Sequence, residues 1–308
     1  MSINVLFSAR PALWPIYEPL LTKGLSGMDV TIATDLPPER VDYVVYAPNG
    51  GLQDFTPYTR LKAVLSLWAG VEKIAGNETL TVPLARMVDH GLTQGMTEWV
   101  VGHVLRYHLG MDRHITMQDG VWAPDPPPLA SQRTVCVLGL GALGQAAAGV
   151  LSSLGFNVIG WSRTAKTIPG IRSLHGPDGL RRALTQADIV VLLLPDTPAT
   201  ENTLNAETLA LLPKGARIIN PGRGGLIDDD ALLQALDTGQ IAHATLDVFR
   251  TEPLPPQHPY WAHPNVTVTP HIASETRPET AAQVICDNIR RNEAGQPLLH
   301  LVDRDLGY

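Results

Sequence analysis

The stretch that most constrains this chain is Gly139-Leu140-Gly141-Ala142-Leu143-Gly144. It follows an apolar run at 134–138 and opens a small-residue segment, 142–154, with the composition of a helix. A glycine turn between a strand and a helix commits both neighbours. The first glycine permits the tight turn, the second lets a pyrophosphate approach the backbone, and the third lets helix and strand pack closely. Free amides and the dipole at the helix start favour phosphate. The segment predicts a βαβ dinucleotide unit with Gly139, Gly141, Ala142, Leu143 and Gly144 against the cofactor.

The rest of the chain has the same rhythm. Short apolar runs at 3–7, 30–33, 43–46 and 63–67 read as strands, as do 156–161, 187–194, 216–220, 242–248 and 266–269. The run at 187–194 ends at Pro195, on the cofactor side of the predicted sheet. Helical patterns lie between these runs, including a long helix from Gly95 to about His114 and a closing helix over 278–292. Strands alternating with helices predict an α/β protein built on parallel sheets.

Composition narrows the class further. At roughly 150 residues per domain, 308 residues suggest two domains. Lys plus Arg is 23 and Asp plus Glu is 30, a net charge of −7, which argues against a nucleic-acid partner. No apolar run approaches the roughly 20 residues of a membrane helix, so no membrane partner is expected. The start of the sequence lacks a signal-peptide pattern. Cys136 and Cys286 cannot make a disulfide framework and read as buried thiols, which points to the cytoplasm. No metal-ligand spacing is present.

The second strand of the dinucleotide unit decides which cofactor. An NAD site usually ends this strand in an Asp or Glu that binds the ribose 2′-hydroxyl. Here it runs into Trp161-Ser162-Arg163-Thr164, with Lys166 close by and no acid. A carboxylate would repel a 2′-phosphate, whereas a guanidinium binds it as a fork and two hydroxyls can donate to it. Ser162, Arg163 and Thr164 therefore predict NADPH in preference to NADH.

Three polar segments follow strands: Asn220-Pro221-Gly222-Arg223-Gly224-Gly225, Asp247-Val248-Phe249-Arg250-Thr251-Glu252-Pro253 and Thr269-Pro270-His271-Ile272-Ala273-Ser274. In open α/β sheets, ligands bind at such strand ends. With the glycine turn and the order of these segments, nearly the whole chain resembles the D-2-hydroxyacid dehydrogenase family. The closer likeness, carried by Trp161 to Thr164, Leu246 to Phe249, Glu252 to Pro256, Thr276-Arg277-Pro278, Val302-Asp303-Arg304 and Gly307-Tyr308, is to members that reduce glyoxylate and hydroxypyruvate.

The resemblance implies roles. His271 would donate a proton to the substrate carbonyl, work suited to a group that titrates near neutrality. Glu252 would pair with it, and Arg223 would hold the substrate carboxylate and polarise the ketone. Asp247 matches the family residue near the nicotinamide carboxamide. Backbone amides of the turn at Trp68, Ala69 and Gly70, ahead of a helix, would grip the substrate carboxylate, with Tyr46, Trp68 and Met96 walling a small pocket. The family often has an Asn just before the residue matching Glu98, and this chain does not.

The implied fold is a Rossmann-type doubly wound cofactor domain, residues 98–277, inserted in a smaller flavodoxin-like substrate domain, residues 1–97 and 278–308, with closure excluding water. The helix near 98–114 and an arm around Trp122 resemble the family's dimer contact, which predicts a homodimer. Two alternatives stay open: a sibling dehydrogenase for a bulkier 2-keto acid, and a non-catalytic dinucleotide sensor.

Overall fold

Runs of Val, Ile and Leu without polar alternation are buried on both faces, which in an α/β chain means parallel strands covered by helices. The computed structural model shows this arrangement in each of two compact units. It describes residues 2–116, 119–122 and 124–307, so Met1 and Tyr308, both used in reading the sequence, lie outside the described residues.

The first unit comprises Met1–Leu92 and Glu275–Tyr308. In chain order it begins with β1 (Ile3–Ser8), α1 (Trp14–Gly24), β2 (Val30–Ala33), β3 (Tyr43–Tyr46), β4 (Ala63–Ser66), α2 (Glu72–Ala75) and β5 (Leu84–Ala85). The sheet order is β2-β1-β3-β4-β5, with every pairing parallel. This is the flavodoxin order. Alternate residues of the strands feed two cores. Val5, Phe7, Tyr43, Val45 and Leu65 face Tyr17 and Leu21 of α1. Leu6, Val44 and Val64 face Ile74 and Leu80.

The second unit is Thr93–Ser274, so the division at 92/93 falls within α3 (His90–His108). It continues with α4 (Met111–Thr116), β6 (Thr134–Leu138), α5 (Ala142–Ser153), β7 (Asn157–Ser162), β8 (Arg172–His175), α6 (Gly176–Leu184), β9 (Ile189–Leu192), α7 (Ala206–Ala210), β10 (Ala216–Asn220), α8 (Asp229–Asp237), β11 (Ile241–Leu246) and β12 (Val266–Val268). The chain then returns to the first unit with α9 (Pro278–Glu293). The second sheet has the order β12-β11-β10-β9-β6-β7-β8, parallel throughout. Counted from β6, that is the doubly wound Rossmann order, with the switch point between β6 and β9. The units divide at 92/93 and 274/275, against the 97/98 and 277/278 read from sequence.

Several local expectations are corrected. The long helix read as 95–114 is two helices. α3 starts at His90, because Asp89 Oδ2 accepts from the amides of Gly91 (3.1 Å) and Leu92 (3.4 Å), as an N-cap does. It stops before Gly110, whose φ of +61° breaks the helical path ahead of α4. The helix expected after Trp68-Ala69-Gly70 is only the four-residue α2. A single turn sums few peptide dipoles, so the dipole argument for anion binding there loses most of its force. Two strands escaped notice: β5 has two residues, and β8 is a polar edge strand, Arg-Ser-Leu-His, with no apolar run to announce it.

The starts of α7 and α8 rest on side-chain caps. Asp228 accepts from Ala231 N at 3.0 Å, with Asp229 and Asp230 in the first turn against the helix dipole. Asp228→Ala should cost ~1 kcal/mol. Thermal unfolding should show this as a fall in midpoint of about 2–4 °C.

Candidate active site

A strand that enters a helix through glycines leaves its backbone exposed at the turn. At the end of β6 the three motif glycines divide into two kinds. Gly139 has φ +108°, and a Cβ there would strike the Leu193 backbone. A Cβ on Gly144 would overlap the Gly139 carbonyl. Both are required by the protein's own packing. Gly141 has an ordinary φ of −74°, and nothing lies within 4 Å of where its Cβ would be. Packing does not demand a glycine there; a ligand approaching the backbone would. Gly141 is also the N-cap of α5 with no side-chain cap, so the first amides of α5, beginning at Ala142 and Leu143, are not closed by a capping side chain. The residues present therefore fit a dinucleotide pyrophosphate.

The turn after β7 lies beside this one, because β6 and β7 pair in register through Leu138 and Trp161. Arg163 and Thr164 are exposed, as residues meeting a ligand from solvent must be. Ser162 is buried, and its hydroxyl donates to Thr164 O at 2.8 Å, so that proton holds the turn. Lys166 Nζ reaches back to Leu140 O at 2.7 Å, a carbonyl that also accepts from Gln145. Lys166 thus ties the second turn to the glycine turn, a link the sequence suggested only by proximity. Pro195 is half-buried beyond β9, and its carbonyl accepts from Thr200 Oγ1 at 2.6 Å.

The other side of the sheet edge carries the three polar segments. Asn220, Leu246 and Val268 are register partners across β10, β11 and β12, so three loops leave at one level. Arg223 follows β10, half-buried, and its Nη1 donates to Gly222 O at 2.7 Å. Glu252 follows β11 and His271 follows β12. His271 Nδ1 and Glu252 Oε2 are 2.7 Å apart, and Glu252 Oε1 accepts from Phe249 N at 3.0 Å. His271 side-chain exposure is 50%, against 35% for Glu252, so the imidazole remains open to solvent and ligand. A Cβ on Gly224 would overlap the backbone of Phe249 and Arg250, which shows how closely the Arg223 and Glu252 loops approach. Arg250 fastens the same two loops by donating to Ile227 O at 2.7 Å, and it also reaches Asn202 Oδ1 ahead of α7.

Asp247 is different in kind. It has 0% exposure, and its carboxylate is enclosed by donors of its own unit. Oδ1 accepts from Thr269 Oγ1 (2.6 Å) and Ile272 N (2.9 Å), and Oδ2 accepts from Ala273 N (2.9 Å). Asn220, also buried, does comparable work on the Arg223 loop: Oδ1 accepts from Gly222 N at 3.1 Å, and Nδ2 donates to Arg223 O at 2.8 Å. Sequence reading missed Asn220, Thr269 and Arg250. For Asn220 and Thr269 the available signal was a polar residue at the last position of, or just after, an apolar strand.

In the first unit, β4 ends in the turn Trp68-Ala69-Gly70, half-buried throughout. Trp68 O accepts from Ser66 Oγ and Met87 N, both at 3.0 Å. Tyr46 is a core residue, 4% exposed and packed with Phe55 at a ring distance of 6.1 Å. Met96 is buried in the core of the second unit with Val100 and Ala273. For both, the packing is that of core side chains.

The electrostatics of the pair follow from its geometry. The hydrogen bond to Glu252 raises the His271 pKa above its ordinary 6.5, partial burial and Arg223 oppose this, and the Glu252 and Asp247 charges reinforce it. For Glu252, burial works against ionisation, but the bonds from His271 and Phe249 N and the nearby positive charges outweigh it and hold the carboxyl below its ordinary value. Between those two values the pair is imidazolium and carboxylate. The His271 share of this stabilisation is present at low pH and lost as pH rises through the raised value. The Glu252 share is lost as pH falls through the depressed one. The His271 ring resonances should therefore titrate above 6.5. In Glu252→Gln they should move to lower pH, as NMR titration will show.

The profile of the D-isomer specific 2-hydroxyacid dehydrogenase NAD binding domain matches residues 103–273. A glyoxylate/hydroxypyruvate reductase A of Serratia proteamaculans is 44% identical over 257 residues, 81% of this chain and 82% of that protein. Among solved structures, a D-isomer specific 2-hydroxyacid dehydrogenase from Xanthobacter autotrophicus Py2, in complex with NADPH and MES, superposes with a TM-score of 0.93 at 41% identity, covering 100% of both chains. An NADPH-dependent glyoxylate/hydroxypyruvate reductase from Sinorhizobium meliloti, in complex with NADP and sulfate, gives a TM-score of 0.86 at 35% identity, covering 100% of this chain and 99% of that one. The matched profile spans the glycine turn, the Arg223 and Glu252 loops and His271, and the chain belongs to the D-isomer specific 2-hydroxyacid dehydrogenase family.

Proposed function

We propose that this enzyme reduces small 2-keto acids with NADPH, glyoxylate to glycolate and hydroxypyruvate to D-glycerate. The observation that carries the reading is the 2.7 Å His271–Glu252 pair, on the same sheet edge as Arg223 and the glycine turn. The NADPH and NADP bound by the two structural relatives, and the reductase activity in the names of the Serratia and Sinorhizobium proteins, support it.

Bound NADPH supplies the hydride that reduces the substrate's carbonyl carbon. The protein supplies the proton and the geometry. Glu252 occupies Nδ1 of His271, which leaves Nε2 to protonate the forming alkoxide. The carboxylate stabilises the imidazolium until transfer, and the neutral imidazole regains a proton from solvent. Arg223 has donors enough to keep its bond to Gly222 O and to hold a substrate carboxylate and ketone oxygen. The backbone of Trp68, Ala69 and Gly70, with Tyr46, carries the substrate-side part of this proposal. The amides of the glycine turn would take the pyrophosphate, and Arg163, with Thr164, the 2′-phosphate; no carboxylate stands in that turn to repel it.

The test is steady-state oxidation of NADPH and NADH with glyoxylate, hydroxypyruvate, pyruvate and phenylpyruvate. Turnover should favour NADPH and the first two acids. His271→Gln should lose about 100-fold or more in kcat. Arg163→Ala should raise KM for NADPH by about 10–100-fold, the worth of a charge-assisted contact, with little change for NADH. Equal turnover of both nucleotides would refute the cofactor assignment. Dinucleotide binding without turnover of any of the four acids would refute the reductase assignment.

We also propose a homodimer in the cytoplasm. Leu109, Met111, Ile115, Val121, Trp122 and Leu129 are exposed large apolar side chains close together in sequence, with Trp122 at 95%. Such a concentration marks a protein-contact surface. The free thiols of Cys136 and Cys286 fit a reducing compartment. Light scattering at micromolar concentration should give twice the chain mass of 33.3 kDa. Trp122→Ser should lower that mass, and a monomeric parent protein would refute the proposal.

A further inference from the structure

His271 has a backbone φ of +54°, in the left-handed region that non-glycine residues seldom adopt. Such a conformation persists only where its surroundings over-determine it. The surroundings here converge on one residue. His271 N donates to Asp247 O at 2.9 Å and to Thr269 O at 3.0 Å. The Asp247 carboxylate then takes the Thr269 hydroxyl before the histidine and the Ile272 and Ala273 amides after it, all at 2.6–2.9 Å. Four donors from residues 269–273 thus end on Asp247, two before or at the histidine and two after it.

We infer that Asp247 is the positioning residue for His271, its buried carboxylate closing the left-handed turn that presents the imidazole to Glu252. The inference rests on the proposed reduction, in which His271 gives the proton. It differs from the nicotinamide contact that the sequence resemblance implies. With 0% exposure and three of its about four acceptor sites taken by the turn, the carboxylate keeps at most one site for a nicotinamide. A buried carboxylate is costly unless its hydrogen bonds are made, and each bond made here lies within the His271 turn. The charges facing the imidazole are Glu252, Arg223 and Asp247. Asp247 therefore also adds negative potential that favours the imidazolium.

Thr269 separates the two roles, because its hydroxyl is part of the bracket. Thr269→Val removes one donor to Asp247 and leaves the carboxylate in place. It should lower kcat with glyoxylate about 10-fold, and Thr269→Ser should restore it. Asp247→Asn should lower kcat about 100-fold, the scale of a misplaced catalytic group. In both Thr269→Val and Asp247→Asn, the Kd for NADPH by fluorescence titration should stay within about threefold of the parent. The His271 ring, assigned by its loss in His271→Gln, should titrate at lower pH in both. The inference is overturned if Asp247→Asn weakens NADPH about 10-fold or more while the His271 titration is unmoved. It is equally overturned if Thr269→Val matches the parent in kcat and titration. Should the parent protein reduce none of the acids, the proposed function fails by itself. The ring titrations would still decide whether Asp247 governs His271.

Discussion

The parallel register of β10, β11 and β12 is the constraint on which the site depends. Asn220, Leu246 and Val268 stand level across three strands. The ladder continues one step further, through Asp247 N to Asn220 O at 3.0 Å and Thr269 N to Leu246 O at 2.9 Å. Arg223 lies three residues past its level strand residue, His271 three past its own, and Glu252 six past its own. Loops that short leave little freedom. Parallel strands all end at one edge, so three groups separated by up to 48 positions in sequence emerge together. A slip of one residue in β11 would turn Asp247 to the opposite face and empty the space its carboxylate fills.

That edge sets a cation against an ion pair, and the balance is informative. Arg223 pulls the His271 pKa down and helps hold Glu252 ionised. Alone it would favour the neutral imidazole. The hydrogen bond to Glu252 is the larger effect and reverses the outcome. The arrangement favours a proton on His271 while leaving the Arg223 guanidinium beside it. All three side chains are at least partly exposed, so their mutual attraction adds little to stability after solvent screening. Their orientation comes from buried polar groups behind them instead, Asn220 under one loop and Asp247 under another.

Much of this was legible in the sequence, for identifiable reasons. Thr134–Leu138, Ala216–Asn220, Val30–Ala33 and Tyr43–Tyr46 are strands where the apolar runs placed them. Strands buried on both faces announce themselves by composition. The glycine turn was legible because backbone geometry demands particular residues there. β5, β8 and the start of α3 were not: two residues make no pattern, an edge strand can be polar, and the cap at Asp89 comes before the apolar spacing begins. In the site, the pairing of His271 with Glu252 was anticipated through a family likeness. The brackets were invisible, since a buried Asp and an exposed Asp are the same letter. Tyr46 is ambiguous for the same reason: an aromatic at a strand end can line a pocket or fill a core, and the letter does not separate them.

The two ends of the second sheet also differ in how they reach specificity. On the cofactor side the chemistry is backbone: glycines forced by packing at 139 and 144, and one at 141 that packing leaves unexplained. Backbone amides keep their charge at every pH and need no partner to hold a tautomer. They suit a permanent anion such as a pyrophosphate. In the proposed reduction a proton must move at the other end, so side chains that titrate are required, and a titrating side chain must be held by groups that do not move with it. Asp247 and Asn220 meet that need by binding backbone amides and carbonyls of the loops themselves. The site is thus held by backbone bonds where it binds and carries an opposed pair at His271 and Glu252, one pKa raised and the other lowered.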